Sequence, residues 1–310
     1  MIDRQRATIG QGDLIVADKL SGLADVDLVI ETISENKTAK LSLFRELCAV
    51  LPDCTIIGSN TSSISIAELA RAVPNPERFV GIHFLSPADV CPETEIVAGT
   101  DTDPRVANAV ATMFEELGRW PVRIQCNVGL INLQQASLLD TAMRMAAEQG
   151  ESDEVLSRIN QTTMRIGQWL VDDGLFSETQ AHDKDLDYLR LRTAIVERGR
   201  WLVDRQFALS ESDVMTTAKA LGRRWKVVGL FGGADLGGLR VFKELYHTLA
   251  PTLELPDPLP DLLNRRVDAG HDGWEGKSQR GILPCPDDLP LLKAERDRYA
   301  LEVIRAGRRQ

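Results

Sequence analysis

His83 and Glu95 are the two side chains whose types and spacing most readily do chemistry. An imidazole suits taking and returning a proton near neutral pH, and His83 comes at the end of the β-rich run Phe79-Val-Gly-Ile-His-Phe84. Glu95 opens the next β-rich run, across a loop that contains Pro87 and Pro92. A carboxylate there can accept the N–H of one ring nitrogen, fix the tautomer and leave the other nitrogen as the base. Ser62 also follows a strand-like run, within Ser59-Asn-Thr-Ser-Ser63. A plainer arrangement fits the same residues, with His83 partly buried against backbone groups and Glu95 a solvated strand residue.

Positioning such a pair falls to the elements around it. Residues 14–17, 27–31, 55–58, 79–84, 95–97 and 121–124 read as strands, and 37–50, 66–72 and 104–117 carry helical apolar spacing. Strands alternating with helices predict a mainly parallel sheet covered by helices. Open sheets of that kind gather their sites at strand carboxyl ends, where His83 falls. From about residue 127 the strand signals stop and amphipathic helices take over, as at 136–148 and 189–205. The expected division is therefore a first domain over 1–126 and a helical domain over 127–310. Within the second, Asp140-Thr-Ala-Met-Arg-Met-Ala-Ala-Glu-Gln-Gly with Glu151-Ser152-Asp153 is echoed by Glu197-Arg-Gly-Arg-Trp-Leu-Val-Asp-Arg with Glu211-Ser212-Asp213. Each copy reads as a helix, a break and a capped helix, so two repeated units, 127–187 and 188–310, are expected, joined by a polar linker over 175–187. Two such units packed in one chain would replace the contact between two subunits.

The bulk composition narrows the classes. Of 310 residues, 43% are hydrophobic and 26% charged, and no apolar run is long enough to span a bilayer. The opening residues lack the features of a secretory or transit signal, so a cytoplasmic location is expected. A net charge of −10 argues against a nucleic-acid surface. Five cysteines without a CxxC pair point to reduced packing residues, with neither a disulfide framework nor a metal site. A monomer or homodimer is expected.

The segments Asp27-Leu-Val-Ile-Glu-Thr-Ile-Ser-Glu-Asn36, Ser59-Asn-Thr-Ser-Ser63, Arg78-Phe-Val-Gly-Ile-His-Phe84 and Glu95 resemble, in order and at matching intervals, successive motifs of the L-3-hydroxyacyl-CoA dehydrogenases. The resemblance implies an NAD-dependent oxidoreductase acting on the 3-hydroxyl of an acyl thioester, carried by coenzyme A or an acyl-carrier protein. It makes His83 the general base, Glu95 the residue that orients it, and Ser62 a hydrogen-bonding partner near the substrate oxygen. Glu35 and Lys40 fall where the family contacts the nicotinamide-ribose part of NAD; ordinary exposed helix charges are the alternative for both. The likeness continues in Gly229-Leu-Phe-Gly-Gly-Ala-Asp-Leu-Gly-Gly-Leu239, where Leu230 replaces a proline, and in Gly276-Lys277-Ser278 with Gly281. The latter is no phosphate loop, because His271 stands where the earlier glycine is required.

Three departures accompany the likeness. The family fold implies an α/β protein with a Rossmann-like parallel sheet followed by an all-α C-terminal domain, but the sheet is expected to be truncated. These residues start just before its third strand, and Gly10-Gln-Gly12 leads into a strand pattern and lacks a third glycine. Weak NAD binding by the chain as written is the corresponding expectation, testable by calorimetric titration. Near the substrate, Ser86 replaces an asparagine, and Leu133 stands where the family has another, with Asn132 one place earlier. One residue along a helix turns a side chain by about 100°, so Asn132 takes that part only if the helix start is re-registered. A repurposed non-redox enzyme, working by dehydration, hydrolysis or decarboxylation of an acyl thioester, and a non-catalytic binding protein are the alternatives to a dehydrogenase.

Overall fold

Short runs rich in Ile, Leu and Val form the parallel half of a five-stranded sheet. β1 (Leu28–Glu31), β2 (Ile56–Ser59) and β3 (Phe79–Phe84) lie side by side and run the same way in the computed structural model, which describes residues 15–177 and 184–307. β4 (Glu93–Val97) reverses direction against β3, and β5 (Trp120–Ile124) runs parallel to β4. The expected sheet is thus mostly parallel with one antiparallel join. The cause is loop length: a parallel crossover takes a dozen or more residues, and the segment from Leu85 to Pro92 is too short for one. The expected strand at 14–17 is corrected in its described part, since Ile15, Val16 and Ala17 are exposed and unpaired; Leu14 lies outside the described residues. A strand needs a hydrogen-bonded neighbour, and these residues have none among the described residues.

Helices cover both faces. α1 (Lys37–Cys48) starts at Asn36, whose side-chain oxygen accepts the Ala39 amide, and α2 (Ile66–Ala70) packs beside it. α3 (Pro104–Glu116) starts at Asp103 with proline in its first turn, and lays Val110, Ala111 and Phe114 on Val80, Ile82 and Ile96 of the opposite sheet face. Alternation along β3 and β4 sends Phe79 and His83, and Glu93, Glu95 and Val97, to the other face, toward the helical part.

That part begins with α4 (Leu130–Glu148), buried on nearly every side, and continues with α5 (Asp153–Asp172), α6 (Leu186–Asp204) and α7 (Glu211–Gly237). α5 is capped by Ser152, and α7 by Ser210 instead of the expected Ser212. α4 packs on α6 and α5 on α7. Of the expected linker, residues 175–177 and 184–185 lie outside the helices and 186–187 open α6, while 178–183 lie outside the described residues. α7 bends at Gly229, whose combination of φ 71° and ψ −177° is open essentially to glycine alone. Asn160 of α5 grips the bend: its Oδ1 accepts the Phe231 and Gly232 amides and its Nδ2 donates to the Val228 carbonyl.

α8 (Leu239–Leu249), α9 (Leu262–Asp268) and α10 (Leu289–Gly307) complete the element order. Buried Asp235 accepts the amides of Ile282 and Leu283, tying α7 to that terminal region, and burial pushes its carboxyl up to about 7. The amides of Lys277 and Ser278 donate to Asp272, so the GKS string forms a side-chain-capped turn and not a phosphate cradle. No helix among the described residues is long and apolar enough to cross a membrane.

Candidate active site

His83 and Glu95 are directly opposite one another in the β3–β4 ladder. Their side chains share a face, and His83 Nδ1 meets Glu95 Oε2 at 2.6 Å. Glu95 therefore sits in mid-strand, a correction to the expected strand start, and is fully buried, while His83 is 8% exposed. The second carboxylate oxygen of Glu95 accepts the Ile131 amide at 2.9 Å, in the first turn of α4. A helix N-terminus presents amides and a positive dipole end, which suits a carboxylate. The helix comes this close because residue 129 is glycine: a Cβ there would overlap the Glu95 carboxylate. The other ring nitrogen, His83 Nε2, faces Ser62 Oγ at 3.2 Å. Ser62, His83 and Glu95 thus form a continuous chain of hydrogen-bonding groups, from a partly exposed hydroxyl to a buried carboxylate.

The loop that carries Ser62 is itself held in place. Glu35 Oε1 accepts from Thr61 Oγ1 and from the amides of Ser62 and Ser63, all between 2.7 and 2.8 Å. Burial works to raise the Glu35 carboxyl, but the Thr61 and Ser63 hydrogen bonds and the nearby Lys40 charge outweigh it and hold the group below its ordinary value. From the helical side, Asn132 Nδ2 donates to the Ser62 carbonyl at 2.6 Å. With Gly129 at the cap, α4 begins so that Asn132 reaches the cluster, and Leu133 is buried in the core. Asn60, which sequence reasoning passed over, accepts the Phe84 amide and joins the loop to β3.

Lys40 is a correction on one of its expected readings, the exposed helix charge. Its ammonium is 1% exposed and bonds Glu31 at 2.6 Å and the Ile33 carbonyl at 3.1 Å, with Glu35 at 3.5 Å. It is not a solvated helix charge; it neutralises buried Glu31, which also accepts from Ser59. Glu35 remains partly open, beside Ile33, which is 41% exposed. Glu35 and Ile33 are thus exposed side by side with Lys40 buried behind them. Ser86 lies exposed in the loop beyond His83, and its carbonyl accepts from Arg224 of α7 at 2.6 Å. Sequence reasoning missed Gly129, Ile131 and Arg224. Only the adjacent arginines in the otherwise apolar Leu221-Gly-Arg-Arg-Trp225 offered a signal.

The family profile described as 3-hydroxyacyl-CoA dehydrogenase, NAD binding domain, matches residues 3–127. A 3-hydroxybutyryl-CoA dehydrogenase of Bradyrhizobium diazoefficiens is 41% identical over 119 residues, which cover 38% of this chain and 41% of that protein. A 3-hydroxyadipyl-CoA dehydrogenase of Escherichia coli is 37% identical over 144 residues, covering 46% of this chain and 30% of its own length. The chain thus spans less than half the length of these relatives. Among solved structures, the 3-hydroxybutyryl-CoA dehydrogenase of Escherichia coli shares the fold, with a TM-score of 0.59 at 23% identity, over 91% of this chain and 49% of that one.

Proposed function

From the match of residues 3–127 to the 3-hydroxyacyl-CoA dehydrogenase family, we propose that this chain belongs to that family and oxidises the 3-hydroxyl of an acyl thioester, with His83 as general base. The observation that carries the reading is the Ser62–His83–Glu95 chain, anchored at its buried end by the Ile131 amide. Glu95 accepts the Nδ1 proton of His83, so the neutral ring keeps Nε2 unprotonated and ready to take the hydroxyl proton. Ser62, already within reach of Nε2, hydrogen-bonds the same substrate oxygen and holds its lone pair and proton in line with the base. As the carbinol becomes a ketone, the proton rests on Nε2 and buried Glu95 offsets the charge that appears on the ring. NAD, when bound, supplies the hydride acceptor. Glu35 and Ile33 line the side on which it is expected, while Lys40 acts through Glu31 and Glu35. Ser86 and Asn132 belong to the substrate side of the same proposal.

The carrier is coenzyme A or an acyl-carrier protein. The five cysteines, all free, fit a reducing cytoplasm. Internal packing of α4 on α6 and of α5 on α7 supports a monomer in which two related helical units face one another. The test of the activity is NADH formation from 3-hydroxybutyryl-CoA, followed by absorbance. His83→Asn is expected to lower the rate by about 10²- to 10⁴-fold. An inactive wild-type chain, or a His83→Asn variant as fast as the wild type, would sink the proposal.

A further inference from the structure

The helical part holds a cavity of about 220 Å³ whose lining includes none of Ser62, His83 and Glu95. It lies where the first turn of α5, helix α9 and the loop after α9 meet, lined there by Asp153, Arg266, His271 and Arg280. In a chain of net charge −10 this lining is reversed in sign, with two guanidiniums and an imidazole against one carboxylate. That carboxylate is loosely placed: Asp153 stands 3.6 Å from Arg266, beyond hydrogen-bond reach, and its side chain is 72% exposed. The Arg280 guanidinium has no hydrogen bond or ion pair among the described residues. The next acid, Asp235 of α7, is already taken up by the Ile282 and Leu283 amides at 2.7 and 2.9 Å.

Backbone bonds hold these donors in place. His271 Nδ1 donates to the Gly281 carbonyl at 2.9 Å; a carbonyl only accepts, so Nδ1 carries the proton and Nε2 is the ring's remaining hydrogen-bonding atom. The Gly273 amide donates to the Arg280 carbonyl at 2.8 Å, and the grip of Asp235 on the next two residues but one fixes the wall beside it. A site assembled before its ligand arrives loses little order on binding.

We propose that this cavity is a binding site for a phosphate group, either the free ion or the end of a small phosphomonoester, held by Arg266, His271 and Arg280. Donors from α9 and from two points of the loop that follows suit a tetrahedral dianion, which accepts on several oxygens at once, whereas a planar carboxylate is satisfied by one guanidinium fork. The positive dipole end at the start of α5 adds to the attraction. On arrival the phosphate takes the place of Asp153 beside Arg266, and the exposed aspartate turns to solvent. Ile282, Leu283 and Pro284 close the cavity with apolar surface, and the Cys285 thiol in its lining reports occupancy. The site stands apart from dehydrogenation. Its ligand joins α5, α9 and the terminal loop, and so stabilises the folded chain by mass action.

The test titrates inorganic phosphate, glycerol 3-phosphate and acetate calorimetrically into the whole chain at fixed ionic strength. Both phosphates are expected to bind, with acetate weaker by about tenfold or more. Equal affinity for the two phosphates identifies the free ion as the ligand, and tighter binding of glycerol 3-phosphate identifies the ester. Arg280→Gln, at an exposed position, should weaken phosphate about tenfold, while Arg280→Lys retains part of the affinity and both keep the wild-type dehydrogenation rate. Alkylation by iodoacetamide, read by mass spectrometry, locates the site: phosphate should slow it at Cys285 and leave exposed Cys54 unchanged. No phosphate binding, acetate bound as tightly as phosphate, an Arg280→Gln variant that binds like the wild type, or Cys285 alkylation indifferent to phosphate would overturn the assignment.

Discussion

A carboxylate is useful to a histidine only when something holds it still, and here that task falls to backbone atoms. Glu95 is gripped by His83 on one oxygen and by the Ile131 amide on the other, at 2.6 and 2.9 Å. Gly129 leaves the space for both. Gly129→Ala would push a methyl group into the carboxylate, and a misplacement of about 1 Å can cost roughly 10²-fold in rate. We expect kcat to fall by about that factor with a small change in KM, measured by steady-state kinetics beside a thermal melt; an unchanged kcat would remove Glu95 as the positioning group. Glu35 makes a different prediction. Its folded carboxyl lies below the ordinary value of 4.5. Its contribution to stability is therefore present above 4.5 and is lost as pH falls through the folded value. Glu35→Gln should unfold at lower denaturant concentration than the wild type at pH 7, and the gap should close as the pH drops below 4.5. A gap that is constant with pH would mean that the charge of Glu35 does not hold the Ser62 loop.

Elements explain which parts of this site were legible in the sequence. Ser62, His83 and Glu95 were readable because their types and their places after β-rich runs follow from local pattern alone. The ladder that joins two of them was not, since strand direction depends on what a loop of given length can span; the short Leu85–Pro92 connection turned a parallel expectation into an antiparallel pair. The burial of Lys40 was illegible for a related reason. A lysine on a helix with alternating polar positions looks exposed until Glu31, Ile33 and Glu35 are seen to surround it. Gly129 and Arg224 act only through elements distant in sequence, so no local window contains their partners. The bend in α7 was half legible: glycine at 229 could be noted, but Asn160 lies on another helix. Asn160→Ala would strand three backbone groups at once, those of Val228, Phe231 and Gly232. Each unpaired buried group costs about 1–3 kcal/mol, so a loss of roughly 3 kcal/mol or more is expected in urea denaturation. A change below about 1 kcal/mol would show that the bend holds without its clamp.

At the scale of the molecule, the sheet and the helices form one body because polar ties cross between them at the same face that carries the site. Asn132 reaches the Ser62 carbonyl, Ile131 reaches Glu95, the Gln125 amide reaches the Phe207 carbonyl, and Arg223 reaches Glu93. The last is the most consequential for stability, because both ends are buried: Glu93 is 1% exposed and the Arg223 side chain 11%. Desolvating two charges consumes most of what their attraction returns, so the pair contributes little beyond what apolar side chains would give. Breaking it is another matter. Glu93→Gln leaves a buried guanidinium without a counter-charge and is expected to cost about 3–5 kcal/mol. Glu93→Leu combined with Arg223→Leu removes both charges, and that variant should recover most of the loss. The site responds differently, because Glu93 and Arg223 flank the Glu95 and Arg224 positions. The double variant should regain the melting temperature yet keep a raised KM, since α7 is then free to shift against β4. Calorimetric melts and kinetics on the three proteins decide it: a double variant as unstable as Glu93→Gln would mean that the strand needs Glu93 for some reason other than its partner's charge.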